Sequence, residues 1–235
     1  MSAAVWHAFG DSARMACALA DALQAVVDAA VRARGLATLG LAGGSTPMAA
    51  YADLAGRGLP WPQVSLVLID ERFVPERDPQ SNAGTIKRAF APVLPELGAL
   101  VGLYHPAGDI AAAAAQADAD IRARIGMLDA VVIGMGADGH IASLFAESPD
   151  YEAAMAPTAD DAVRPIRFTP PSGKPDRLSF TLPRLLSARA ALLCITGTDK
   201  RDVLERSLDG RAPHYAVARF LAAYRGPVDI FWSPA

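Results

Sequence analysis

The sequence predicts an α/β fold, a mostly parallel sheet with helices on both sides. Two observations predict it. Five short apolar runs, "LATLGLA", "VSLVLID", "LDAVVIG", "AALLCIT" and "VDIFW", recur along the 235 residues, and unbroken apolar runs of this kind suit strands buried on both faces. Between them lie helix-like stretches such as 47–57, 82–91, 110–125 and 199–208. Strand alternating with helix implies right-handed crossovers, which set parallel strands side by side under two layers of helix.

The composition agrees. With 52% apolar and 20% charged residues, the chain can bury a sizeable core and lacks the polarity of a disordered segment. Its 22 Lys and Arg against 25 Asp and Glu leave a net charge of −3. No global field therefore draws it onto nucleic acid or an anionic membrane, and an anionic ligand has to be held by a local site. No run approaches the roughly 18 apolar residues of a membrane span, and "MSAAVWHAFGDSARM" lacks the basic start and apolar core of a secretion signal. A soluble, cytoplasmic protein is expected. Cys17 and Cys194 have no metal-site spacing and read as buried thiols of a reducing compartment. His7, His105 and His214 also lack ligand spacing, so no metal is expected.

Taken in order, residues 12–34 read as an amphipathic helix, with Met15, Leu19, Leu23, Val26, Val27 and Val31 near helical spacing, Asp11 as cap and Gly35 as stop. After "LATLGLA", Gly43 and Gly44 permit a tight turn, Ser45 or Thr46 can cap, and Pro47 suits a first helical turn. Free amides there would cradle a phosphate, although an ordinary strand-to-helix turn uses the same residues. Ser45 lacks the second glycine of G-x-S-x-G and is not read as a nucleophile.

"VSLVLID" leads directly into "ERFVPERDPQSNAG". Ligands of open parallel sheets sit at the carboxyl ends of strands, which aims Asp70 and Arg72 at a site, while Glu76, Arg77 and Asp78 read as solvated loop. In "LDAVVIGMGADGHIASLF", Gly134, Gly136 and Gly139 match G-x-G-x-x-G, but no strand with an acidic residue follows about 20 positions on, so no dinucleotide is expected. The same glycine-rich turn can present His140, two residues after Asp138, to a cleft. Residues 148–176 read as a loop excursion beside the site with at most one short strand, "VRPIRF". Arg177 and Lys200 each read alone as surface charges, yet a planar fork and a point charge are what an anion site needs. No repeat or boundary is visible, and residues 1–235 read as one domain.

The strings "AGGSTPMAAY", "IDERFVP" with "QSNAG", "GMGADGHIASLF", and "RLSFTLP" followed by "GTDK" stand in one order between about 41 and 200. Together they resemble the 6-phosphogluconolactonase family, which shares a superfamily with glucosamine-6-phosphate deaminases. The resemblance implies a three-layer α/β/α domain with a Rossmann-like sheet. It also implies hydrolysis of 6-phospho-D-glucono-1,5-lactone, a step of the oxidative pentose phosphate pathway, with a phosphorylated sugar lactone as the small-molecule partner and no cofactor. By the same resemblance Gly43, Gly44, Ser45, Thr46, Arg177 and Lys200 line the phosphate pocket, and Asp70 and Asn82 face sugar hydroxyls. Two positions depart from the pattern: Ile141 stands where threonine is usual, and Ala146 where proline is.

Opening a δ-lactone needs an oriented water, a base, stabilisation of the oxyanion and a proton for the ring oxygen. Imidazole suits the base, which designates His140. Asp138 can orient that ring or bind a hydroxyl, and Arg72 can stabilise developing charge or hold phosphate. The competing readings are a deaminase or isomerase in which Asp70 moves a proton at carbon, a sugar-phosphate-sensing module, and a nicotinamide-dependent oxidoreductase. The sensing module would need a helix-turn-helix, for which too few residues precede the first predicted strand. Oligomeric state stays open between monomer and small homo-oligomer.

Overall fold

The computed structural model describes residues 4–169 and 172–234. In chain order its strands and helices are β1 (Ala4–Ala8), α1 (Ser12–Arg34), β2 (Ala37–Leu41), α2 (Met48–Ala55), β3 (Val64–Leu68), β4 (Asp70–Arg72), α3 (Asn82–Ala89), β5 (Ala99–Val101) and α4 (Ile110–Arg124). They continue as β6 (Ala130–Ile133), α5 (Tyr151–Met155), β7 (Val163–Ile166), β8 (Arg177–Phe180), α6 (Leu182–Leu186), β9 (Ala191–Thr196), α7 (Thr198–Leu208), α8 (Ala216–Ala223) and β10 (Val228–Ser233).

All five apolar runs read from the sequence become strands of one seven-stranded sheet, ordered β1-β10-β9-β6-β2-β3-β5, and every pairing in it is parallel. Its central strands are buried on both faces, as in β2, where all five residues are buried. Right-handed crossovers then fix the layers. Helices α1, α2 and α3 each lead to a strand nearer the β5 edge, and they pack on one another. The helices from α4 onward lead back toward β1 and cover the other face, where α7 packs on α8, and α6 on α5 and α8. The direction of travel reverses between neighbours β2 and β6, whose following loops leave to opposite faces. A crevice opens at such a switch point.

Helix α1 forms as its pattern predicts. The Asp11 side chain accepts from the Arg14 amide at 2.8 Å, and Gly35 ends the helix at φ 76°. Met15, Leu19, Leu23 and Val27 are buried, while Val26 and Val31 lie half-buried at the edge of the stripe. Cys17 corrects the sequence reading: it is exposed, because two residues beyond Met15 a helix has turned to its opposite face. Cys194 is buried, and burial pushes its thiol up to about 12. At α2 neither Ser45 nor Thr46 caps. Pro47 occupies the cap position and no side chain bonds the helix start.

Two edge strands escaped the sequence reading. β1 precedes α1 and pairs with β10, and β5 is three residues long. The excursion before Asp176 also holds more than expected. Its "VRPI" is β7, which joins β4 and β8 in a small antiparallel sheet ordered β4-β8-β7, and a short helix, α5, precedes it. Pro170 and Pro171 of that excursion lie outside the described residues. The small sheet matters because its register sets Asp70 opposite Ser179 and Arg72 opposite Arg177. Among the described residues no helix is long and apolar enough to cross a membrane.

Candidate active site

A pocket of about 240 Å³ lies at the carboxyl ends of the central strands. The loop after β2 gives Gly43, Gly44, Ser45, Thr46 and Pro47. The turn after β6 gives Gly134, Gly136, His140 and Ala142. Asp70, Arg72, Asn82 and Arg177 come from the small sheet and the start of α3, and Lys200 from the first turn of α7. Ten of the eleven residues named from the sequence therefore converge, and only Asp138 does not line the pocket. The glycine-rich turn does not open a helix, since the next one begins at Tyr151. A dinucleotide fingerprint needs a helix start at that point.

Asp138 reaches the pocket through His140. Its Oδ1 lies 2.5 Å from the imidazole Nδ1, and that hydrogen bond, opposed by partial burial, holds the Asp138 carboxyl down at about 2. A neutral ring beside a carboxylate carries its proton on Nδ1, which leaves the Nε2 lone pair open. Two glycines make this possible. A Cβ on Gly136 would stand 2.3 Å from both the imidazole and the Asp138 carboxylate. Gly139 takes φ +76°, and a Cβ there would meet the Tyr215 ring at 2.5 Å. The turn closes with a bridge between Met135 and Ile141, and Ala142 is held at φ 48°, a left-handed conformation unusual for a residue with a side chain.

The opposite wall is cationic. Arg72 donates to the Gln80 carbonyl at 2.8 Å and to Asn82 Oδ1 at 2.5 Å. The Nε atoms of Arg72 and Arg177 are buried without a partner among the described residues. Burial, then the Arg72 charge beside it, lowers the Arg177 pKa. Two guanidinium groups set side by side in a half-buried place repel, and negative charge bound beside them offsets that repulsion. The amides of Gly44, Ser45 and Thr46 likewise meet no acceptor among the described residues. Among those residues no group of three His, Cys, Asp or Glu side chains is arranged to hold a metal ion.

Residues 10–229 match the model of the family described as glucosamine-6-phosphate isomerases/6-phosphogluconolactonase. The chain belongs to that family. It is 37% identical to a 6-phosphogluconolactonase of Mesorhizobium japonicum, over 97% of this chain and 95% of the relative. With a 6-phosphogluconolactonase of Pseudomonas putida it shares 35% identity over 97% of this chain and 92% of the relative. The crystal structure of a 6-phosphogluconolactonase from Shewanella baltica superposes with a TM-score of 0.90 at 28% identity, covering 98% of each chain. A monomeric glucosamine-6-phosphate deaminase shares the fold at a TM-score of 0.76 and 17% identity.

Glu71 and Ser143 of this family member were not singled out by the sequence. Glu71 is fully buried and accepts from the amides of Arg72, Asn82 and Ala83 at 2.7 Å each and from Ser81 Oγ at 3.0 Å. Burial raises its pKa against those four bonds, and it fastens the start of α3 to β4. Asn82 lines the pocket, but its amide is already engaged: Nδ2 donates to the Asp70 carbonyl at 3.0 Å and to Asp70 Oδ1 at 3.2 Å. Gly43 is what lets Asn82 approach, since a Cβ there would lie 2.0 Å from Asn82 Oδ1. Ser143 donates to the other Asp70 oxygen at 2.6 Å. Both Asp70 oxygens are thus held by protein. Of the two departures from the family pattern, Ile141 is fully buried in the core, while Ala146 is exposed.

Proposed function

We propose that this enzyme hydrolyses 6-phospho-D-glucono-1,5-lactone to 6-phospho-D-gluconate, in the cytoplasm and without metal or organic cofactor. The observation that carries the proposal is the pairing of an Asp138–His140 dyad with a cationic wall across one small pocket. The family and the names of its relatives support the lactone as substrate. The Nδ1–H of His140 is held by Asp138, so Nε2 takes a proton from water as that water attacks the lactone carbonyl. The Asp138 carboxylate stabilises the imidazolium that results, and the same proton passes to the ring oxygen as the acyl bond breaks. Arg72 stabilises the oxyanion. Arg177, Lys200 and the amides of Gly44 to Thr46 hold the phosphate, with Arg and amides as directed donors and Lys as a point charge.

Asp70 orients Asn82 and offers its remaining acceptor capacity to sugar hydroxyls. The engagement of both its oxygens by Asn82 and Ser143 disfavours the deaminase reading, in which that carboxylate would have to move freely between substrate carbon and solvent. The test compares three compounds: 6-phosphogluconolactone, unphosphorylated gluconolactone and glucosamine-6-phosphate. Acid release from the first alone, above its spontaneous opening, is expected. Ammonia release from the third without acceleration of the first would overturn the assignment.

A further inference from the structure

His140 is fixed at Nδ1 by Asp138, yet a single hydrogen bond leaves an imidazole free to tilt about it. Phe145 lies against that ring. The two rings stack with centroids 3.9 Å apart and 28° between planes. Phe145 is 5% exposed and does not line the pocket, so it acts from behind. It is steadied by Phe168, edge-on at 5.2 Å. The same ring carries cations: the Arg177 guanidinium carbon lies 5.4 Å from its centroid and the Lys174 ammonium 4.8 Å. Lys174 is also paired with Glu147 at 2.5 Å. Arg177, by contrast, has its Nε buried with no acceptor among the described residues.

We propose that Phe145 is a positioning residue that couples the base to the anion-holding arginine through one aromatic ring. The inference rests on the proposed lactonase reading. An aromatic face attracts cations through its quadrupole. A neutral imidazole gains mainly dispersion from the stack, while the imidazolium formed when His140 takes the proton of water gains the electrostatic attraction as well. The ring therefore favours the protonated state that proton transfer produces. It favours the placement of Arg177 by the same physics. One substitution should then reach both parameters, turnover through His140 and substrate affinity through Arg177, where His140→Ala reaches turnover chiefly and Arg177→Ala affinity.

The test replaces Phe145 with mono-, di- and trifluorophenylalanine, which hold the shape of the ring while draining its face of charge, and with leucine, which fills the place without a face. Kinetics are followed with 6-phosphogluconolactone, beside the wild type and His140→Ala. The expected result is a stepwise fall in kcat and rise in KM along the fluorinated series, with kcat/KM for Phe145→Leu lower by roughly three- to thirtyfold. Thermal midpoints along the fluorinated series should stay level. Repeating the series in Lys174→Met removes the second cation, and the gradient should persist. A flat fluorinated series, whatever leucine does, or a gradient that vanishes in Lys174→Met, overturns the proposal. Absence of lactone hydrolysis by the wild type would instead overturn the function on which it rests.

Discussion

Replacing Asp138 tests the dyad, and alanine and asparagine test different parts of it. The Asp138 carboxyl falls from 3.8 to about 2, which at about 1.4 kcal/mol per tenfold bounds the pairing at about 2.5 kcal/mol. More than half of the Asp138 side chain is exposed, and solvent screening reduces the effective value to about 1 kcal/mol. Asp138→Ala should therefore slow turnover about fivefold. Asparagine should do worse. Its amide donates to Nδ1, which moves the ring proton to Nε2 and removes the lone pair that accepts from water. A hydrogen bond of about 1 kcal/mol holds that wrong tautomer, for roughly a further fivefold loss. The assay is initial acid release at several lactone concentrations, corrected for spontaneous opening. Asparagine turning over as fast as alanine would refute the tautomer argument. Because the folded carboxyl titrates below its ordinary value, its stabilisation is complete above pH 3.8 and is lost as pH falls through about 2. Asp138 should thus contribute no limb to a pH profile taken from about pH 5 to 9.

Arg177→Ala should lower kcat/KM by about one to two orders of magnitude, the worth of a charge-assisted hydrogen bond. Inorganic phosphate should raise the melting midpoint of the wild type more than that of the variant, while equal rises would remove Arg177 from the anion site. Gly136→Ala should cut turnover about a hundredfold or more at a nearly unchanged midpoint, because its Cβ would meet the imidazole at 2.3 Å and displace a positioned base. Near-wild-type turnover would show that the ring can shift without loss. Chelators should leave activity intact, and loss to EDTA restored by a divalent ion would contradict the metal-free mechanism.

The fold was legible in the sequence wherever strands are buried on both faces, because an unbroken apolar run such as "AALLCIT" admits few other places. It was less legible at the sheet's edges. β1 mixes half-buried and exposed positions, and β5 has only three residues, so neither shows a run. In the site, His140 with Asp138 and the Gly43–Pro47 turn were visible because glycine, cap residues and a close His–Asp pair are local signals. The partnership of Arg72 and Arg177 was not, since it depends on a register between strands over a hundred residues apart. Glu71 could have been found. On a strand that aims Asp70 and Arg72 at the pocket, alternation turns the residue between them inward. A carboxylate turned inward requires donors, and the start of α3 supplies them. Cys17 fails for the same geometric reason on a helix, two residues off the buried stripe.

The central claim is that His140 is the base. Its most direct test follows acid release from freshly generated 6-phosphogluconolactone by the wild type and by His140→Ala, with spontaneous opening subtracted and binding of 6-phosphogluconate measured on both. A positioned general base contributes about 10²–10⁴-fold, so turnover in His140→Ala should fall by that factor while product affinity and melting midpoint stay close to wild type. Turnover retained within a few-fold of wild type would contradict the claim and leave the proton to another group of the pocket.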